Sequence, residues 1–559
     1  MVTESWEIRA AGKRQSILDQ IPKEWKLSTA DINKAKAQRD ITGPFIEQFL
    51  DNEEIKITSY DAVELVNQIQ QGKLTAVQVT TAFSKRAAIA HQIGNCLLEF
   101  FFDKALERAK ELDAYFAQNQ RTIGPLHGLP ISLKDQFHVK GVDTSMAYVG
   151  WIGRNHGFPE SQTHQVESLL TTDLLSLGAV LYCKTSLPQT LFFGETVNNI
   201  TGITPNPQNQ LLSCGGSSGG EGALIALGGS VLGVGTDIGG SVRVPAAFNG
   251  IYSIKPSVDR VSYKDVATTN PGQTIWPSTA GFMGSSLSGV TLALQSTLST
   301  KPWLRDPAVV PIPFREDVYQ SYKSLNRPLK FGIVWSDGIA NPHPPISRGL
   351  KRIVTALREA GHGVVDWNPP SHSEAMNIHL NILLADASAD VREQLALSGE
   401  PLVPGVMAAE EGVQPMGLLE YQALTLEGKA YENAYAEYWN ANTGEDGEVV
   451  DAVIMPVAPS AAVRPGKFYH IAYTEVLNML NYSTVVVPVH GIKADKEVDV
   501  VDQGYQPSSE TDRLNWGAYD PEIFYGAPVG VQIVGRKFEE EKVLGIAEVV
   551  DEVLKAHTK

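Results

Sequence analysis

The sequence predicts a layered α/β/α domain, and three observations carry that expectation. Four late segments, LKFGIVWSD (329–337), DAVIMPVA (451–458), STVVVPVH (483–490) and APVGVQIVG (527–535), are β-branched and almost continuously apolar. Strands of that kind belong in a sheet covered on both faces. Helical patterns lie between them, SRGLKRIVTALREAG (347–361) being the clearest, and such alternation places helices over the sheet. No internal repeat or low-complexity linker divides the 559 residues. One large domain (59–559) behind an N-terminal helical lead-in (1–58) is therefore expected.

Residues 4–25 read as an amphipathic helix, with Ile8, Ala11, Ile17, Leu18 and Ile21 in helical register. SYDAVELVNQIQQG reads as a helix opening at a capping Ser59 and closing at Gly72, and TAVQVTTAFSKRAAIAHQIG continues the pattern. GPLHGLPISLKD then reads as a turn and a short apolar strand ending at Lys134. A helix around 164–177 leads to a second strand, GAVLYCKTS (178–186). Residues 491–522 are polar without a period and read as a long surface loop.

Composition narrows the function. Apolar residues make up 43% of the chain, charged residues 19%, and there are 49 glycines, which suits a soluble globular enzyme. The net charge is -17 and no Lys/Arg block occurs, so nucleic acid is not an expected partner. Cys96, Cys183 and Cys214 form no CxxC pair, which argues against a zinc or redox site and suits a reducing compartment. The start MVTESWEIRAAGKRQ lacks the apolar core of a signal peptide, and the end AHTK matches no common address signal. No apolar run reaches the ~18 residues of a membrane span. A cytoplasmic location is the default expectation.

The chemistry concentrates in CGGSSGGEGALIALGGSVLGVGTDIGGSVRVPAAFNG (214–250). Its two glycine clusters, GGSSGG (215–220) and DIGGS (237–241), let backbone N–H groups approach a reacting atom. Each leads into a helix-like run whose free amides suit an oxyanion. A P-loop is excluded because no lysine follows the glycines, and Ile238 fills the third slot of a dinucleotide fingerprint. SxxK and HExxH are absent. GxSxG occurs twice, centred on Ser217 and Ser218, but the preceding NPQNQLLSC is too polar for the strand a nucleophile elbow needs.

What remains is a Ser–Ser–Lys centre. Ser241 follows Ile238, Gly239 and Gly240, whose amides, with its own, are aimed at a developing oxyanion. Lys134 ends an apolar strand, where poor solvation lowers an amine's pKa towards a usable base. Ser217 can donate and accept, so it can relay a proton between Ser241 and Lys134. Ser218 reads as a structural hydroxyl, Asp237 and Arg243 as an ion pair bracing the loop, His127 as a core or surface residue, and Cys183 and Cys214 as buried thiols. The rival readings are a Ser–His–Asp esterase using GxSxG and a catalytically silent scaffold.

These motifs together resemble the amidase signature family. GGSSGGEGALIALGGSVLGVGTDIGGSVRVPA is similar to its defining stretch, GPLHGLPISLKD to its lysine segment and GAPVGVQIVG to its closing strand. EFFFDKALERAKELDAYFA, LPQTLFFGETVNN and SCGGSSGGEGA are similar to fungal acetamidases in particular. The resemblance implies a large mixed β-sheet and an amidase that cleaves a small, acetamide-like amide. It implies Ser241 as the acyl-forming serine, Ser217 as the serine after a cis peptide bond, and Lys134 as the base. It also brings Phe192 and Phe193 to the border of the substrate pocket. No metal or organic cofactor is implied, and family analogy leaves a homodimer open.

Overall fold

The β-branched runs become neighbours in one sheet. The computed structural model describes residues 4–154, 162–325, 327–443 and 447–557. Its strands are β1 (Leu97–Phe100), β2 (Pro130–Lys134), β3 (Val180–Thr185), β4 (Val197–Asn198), β5 (Gly202–Ile203), β6 (Leu232–Asp237) and β7 (Tyr252–Lys255). They continue with β8 (Thr279–Gly284), β9 (Lys330–Ile333), β10 (Gly363–Asp366), β11 (Ala452–Pro456), β12 (Thr484–Lys493) and β13 (Pro528–Val534). Eleven form a sheet in the order β1-β3-β2-β6-β8-β7-β12-β13-β11-β9-β10, while β4 and β5 make a separate hairpin. The sheet is mixed: β3, β2 and β6 run parallel, as do β11, β9 and β10, with antiparallel pairs between the two groups.

Strands β2, β3, β6, β11 and β13 are buried along their whole length. That explains their unbroken apolar texture, because helices cover both faces. Helix Pro344–Glu359 turns Ile346, Leu350, Ile353 and Leu357 inward, and the C-terminal helix Glu540–His557 contributes Val543, Leu544, Ala547 and Leu554. Since β2 and β6 are adjacent and parallel, their carboxyl ends lie side by side. In open α/β sheets the crevice beyond such ends is where ligands bind.

Three local expectations need correction. The first helix is Trp6–Asp19, and its inward face carries Ala10, Lys13 and Ile17, whereas Ile8 is 60% exposed. A polar residue takes the inner position because Lys13 meets the carboxylates of Glu99 and Asp143. Ser59 does not cap the next element; it ends helix Asn52–Ser59. Helix Ala62–Gln70 is capped by Asp61, whose carboxylate accepts from Glu64 N. The helix placed around 164–177 spans Leu169–Ser176.

Residues 491–522 are also more ordered than a surface loop. β12 runs on to Lys493, and the segment holds helix Glu510–Gly517, capped by Ser509. Its order comes from polar contacts, which leave no hydrophobic period to read. Arg348 clasps Asp499 at 2.7 Å, and the Tyr505 and Trp516 rings stack with centroids 3.7 Å apart. Buried Asp512 accepts from Asn341 N (2.9 Å), Ser508 N (2.9 Å) and Tyr505 OH (2.5 Å). Asp512→Ala strands these donors and should lower the unfolding free energy by roughly 2–4 kcal/mol. A urea melt with an unchanged midpoint would show that the segment is held by something else.

Candidate active site

The ends of β2 and β6 bring the chemistry together. Lys134 is the last residue of β2 and fully buried. Its Nζ lies 2.7 Å from Ser217 Oγ and 2.8 Å from Thr236 Oγ1. Neighbouring Asp135 does not pair with it; that carboxylate meets Lys184 Nζ at 2.8 Å. Burial pushes the Lys134 amine down to about 7, against the opposing pull of Asp237 and Glu221. Glu221 is itself pushed up to about 8 by burial, so its own charge is weakened near neutral pH.

Ser217 follows a cis peptide bond from Gly216, and its neighbour Ser218 precedes helix Gly219–Ala226. A Cβ on Gly216 would lie 2.6 Å from the Phe193 carbonyl oxygen, so the serine loop can pass only as glycine. Ser218 N donates to the Ser241 carbonyl at 3.0 Å, which holds the two serine loops side by side. Ser218 Oγ lies 3.4 Å from Thr236 N.

The loop between β6 and helix Arg243–Asn249 carries Ile238, Gly239, Gly240 and Ser241. Asp237 organises it: Oδ1 accepts from Gly240 N (2.9 Å), and Oδ2 from Val242 N (2.9 Å). Arg243 and Asn478 complete the carboxylate's partners at 2.9 Å each. Burial alone would raise this carboxyl, but Arg243 and these donors outweigh it and hold the group well below the usual range. The expected Asp237–Arg243 brace is therefore present. The Gly240 amide, expected to face an oxyanion, is instead given to Asp237. Among the described residues the amides of Ile238, Gly239 and Ser241 have no protein acceptor. Thr474 Oγ1 donates to the Gly239 carbonyl at 2.6 Å and backs the loop from the other side.

A cavity of about 310 Å³ borders Ile238, with Tyr263, Thr268, Thr269, Gln273 and Pro277 in its wall. Phe192 and Phe193 do not line it. Both are half-buried; the Phe193 ring faces Gly405, and the Phe192 carbonyl accepts from Met407 N at 2.9 Å. His127 accepts from Ile123 N at 3.1 Å in a turn, and Cys183 and Cys214 are buried and unpaired. Thr236, Gln136, Thr474 and Asn478 were not visible as site residues in the sequence. Only the segment before DIGGS offered a signal, in a hydroxyl at the end of an apolar strand.

Residues 78–544 match the Amidase family. The chain belongs to that family. It is 44% identical to the acetamidase of Emericella nidulans over 99% of this chain and 98% of that one. It is likewise 44% identical to the acetamidase of Aspergillus oryzae, over 99% of this chain and 100% of the relative. Among solved structures, a fatty acid amide hydrolase superposes with a TM-score of 0.90 at 32% identity, covering 100% of this chain and 96% of the other. This amidase is thus a hydrolase acting on amides. No helix among the described residues is long and apolar enough to cross a membrane.

The loop geometry gives one stability prediction. Gly240 has φ 135°, and an added Cβ would collide with Thr474 Oγ1. Gly240→Ala should cost at least roughly 1–3 kcal/mol of unfolding free energy, whereas Gly272→Ala, with nothing within 4 Å, should stay within about 0.5 kcal/mol. Equal denaturation midpoints for the two variants would contradict the tight contact.

Proposed function

We propose that the enzyme hydrolyses a small aliphatic carboxamide to carboxylate and ammonia through an acyl-enzyme on Ser241. The observation that carries this reading is the contact of 2.7 Å between buried Lys134 Nζ and Ser217 Oγ. It gives the uncharged amine a hydroxyl to deprotonate. Lys134 takes the Ser217 proton as Ser217 takes that of Ser241, and Ser241 Oγ attacks the carbonyl carbon. The amides of Ile238, Gly239 and Ser241 receive the negative oxygen. Ser217 then protonates the leaving nitrogen, the C–N bond breaks, and ammonia departs. Water attacks the ester by the same relay and releases the acid. Gly240 serves by holding the loop on Asp237.

The small substrate is supported by the identity with two acetamidases. Each added methylene would favour longer amides by about 0.8 kcal/mol in an open pocket, and overpacking reverses that trend in a closed one. We also place the enzyme in the cytoplasm, in keeping with three buried unpaired thiols; a homodimer is its proposed assembly by family analogy.

A fluorophosphonate probe followed by peptide mapping tests the nucleophile. Label on Ser241 is expected; label on Ser217 would favour the esterase, and none would favour a silent scaffold. Lys134→Met should abolish labelling and amide turnover while leaving the protein folded, and full labelling in that variant would remove the lysine from the mechanism. Across acetamide, propionamide, butyramide and hexanamide, kcat/KM should fall with chain length beyond propionamide. A steady rise along the series would contradict the small-substrate assignment and leave amide hydrolysis standing.

A further inference from the structure

The base has a second hydrogen-bond partner whose direction can be read without seeing a hydrogen. Gln136 side-chain nitrogen lies 2.7 Å from the Ala267 carbonyl oxygen. A carbonyl only accepts, so that atom must be the amide NH2, and the other amide atom must be the oxygen. Thr236 Oγ1 lies 2.6 Å from this Gln136 Oε1. An amide oxygen has no hydrogen to give, so the threonine proton must point at Gln136. Thr236 is left with lone pairs only, and Lys134 Nζ, 2.8 Å away, must donate to it.

An uncharged amine has two N–H bonds and one lone pair. Thr236 consumes one N–H and cannot offer a proton to the lone pair. Among the described residues the other hydroxyl hydrogen-bonded to Nζ is Ser217. We propose, on the basis of the Ser–Ser–Lys reading above, that Thr236 and Gln136 are positioning residues that turn the Lys134 lone pair onto Ser217. The anchor of the chain is well held. Ala267 N donates back to the Gln136 carbonyl at 3.0 Å, and Gln136 Nε2 also reaches Tyr263 OH at 3.3 Å. The same 263–269 stretch supplies wall residues to the cavity beside Ile238. Orientation of the base and placement of the pocket wall thus share one side chain.

The charged groups that face Lys134 are Asp237, at the end of β6, and Glu221, on helix Gly219–Ala226. Asp135 is taken up by Lys184, and Asp237 by Arg243. None of them points the lone pair, because none of them accepts from Nζ. Thr236 does, and its direction depends on Gln136.

The experiment measures amide turnover and pH profiles in Gln136→Met, Thr236→Val, Thr236→Ser and Gln136→Met/Thr236→Val, with Lys134→Met as control and thermal melts to verify folding. Without Gln136 the threonine hydroxyl is free to donate to the Lys134 lone pair in place of Ser217. Gln136→Met should therefore lower kcat at least about ten-fold, part of the ~10²–10⁴ that general-base catalysis supplies, with KM little changed. Removing the competing hydroxyl as well should recover activity, so the double variant should exceed Gln136→Met. Thr236→Val takes an acceptor from the charged amine and should move the acidic limb of kcat/KM to lower pH, whereas Thr236→Ser should restore it. An undiminished kcat in Gln136→Met, or a double variant no better than it, overturns the positioning role. If Gln136→Met does not fold, an acidic limb that stays in place in Thr236→Val does the same. Turnover retained by Lys134→Met would instead overturn the base assignment beneath it.

Discussion

An ammonium drawn into a protein interior gives up hydration worth several kcal/mol, and the loss is smallest if it releases its proton. Lys134 meets that condition at 0% exposure, and its amine is held at about 7 by burial. Much of the surrounding architecture keeps this place dry without refilling it with negative charge. Helix Gly219–Ala226 packs along β2 and β6. Asp237, one residue beyond Thr236, is spent on Arg243, Asn478 and the amides of its own loop. Glu221 is pushed towards its neutral form by the same burial.

A shifted amine is not by itself a base. Lys255 is equally buried and is also lowered to about 7 by burial, with Arg243 adding to the effect. Its Nζ donates to the Pro256 carbonyl at 3.2 Å, so no reacting hydroxyl receives it. Lys134 differs in geometry: a serine on one side, and on the other a threonine whose own proton is committed elsewhere. The two serine loops are held against each other by the Ser218–Ser241 backbone bond, and Thr474 fixes the Gly239 carbonyl from behind. The proposed proton path and oxyanion amides thus rest on contacts between segments far apart in the chain.

The separation in sequence decides what could be read early. The strand ending at Lys134, both glycine clusters, the helices after them and the late apolar strands have local signatures, and each lies where the chain suggested. The Asp237–Arg243 brace was legible because its members are six residues apart. Thr474 and Asn478 were not, since more than 200 residues separate them from the loop they support. Gln136 lay two residues from Lys134 in plain view, but its meaning depends on Ala267 and Thr236. The occupied amide of Gly240 was hidden for a related reason: a glycine-rich loop announces freedom to approach, and says nothing of which neighbour takes each N–H. Lys13 and residues 491–522 misled through polarity, because both are packed by charged and hydrogen-bonded partners that leave no apolar period.

With its amine at about 7, Lys134 is uncharged in a large share of the molecules at neutral pH, and the base role rests on that fraction. It can be measured directly by following the ¹³Cε resonance of Lys134 in lysine-labelled enzyme against pH, with the signal assigned by its loss in Lys134→Met and thereby separated from that of Lys255. A titration midpoint near the value of about 7 set by burial is the expected result. A midpoint at about 10, where a solvated lysine titrates, would mean that the amine stays charged at the pH of the reaction and would contradict its role as the base.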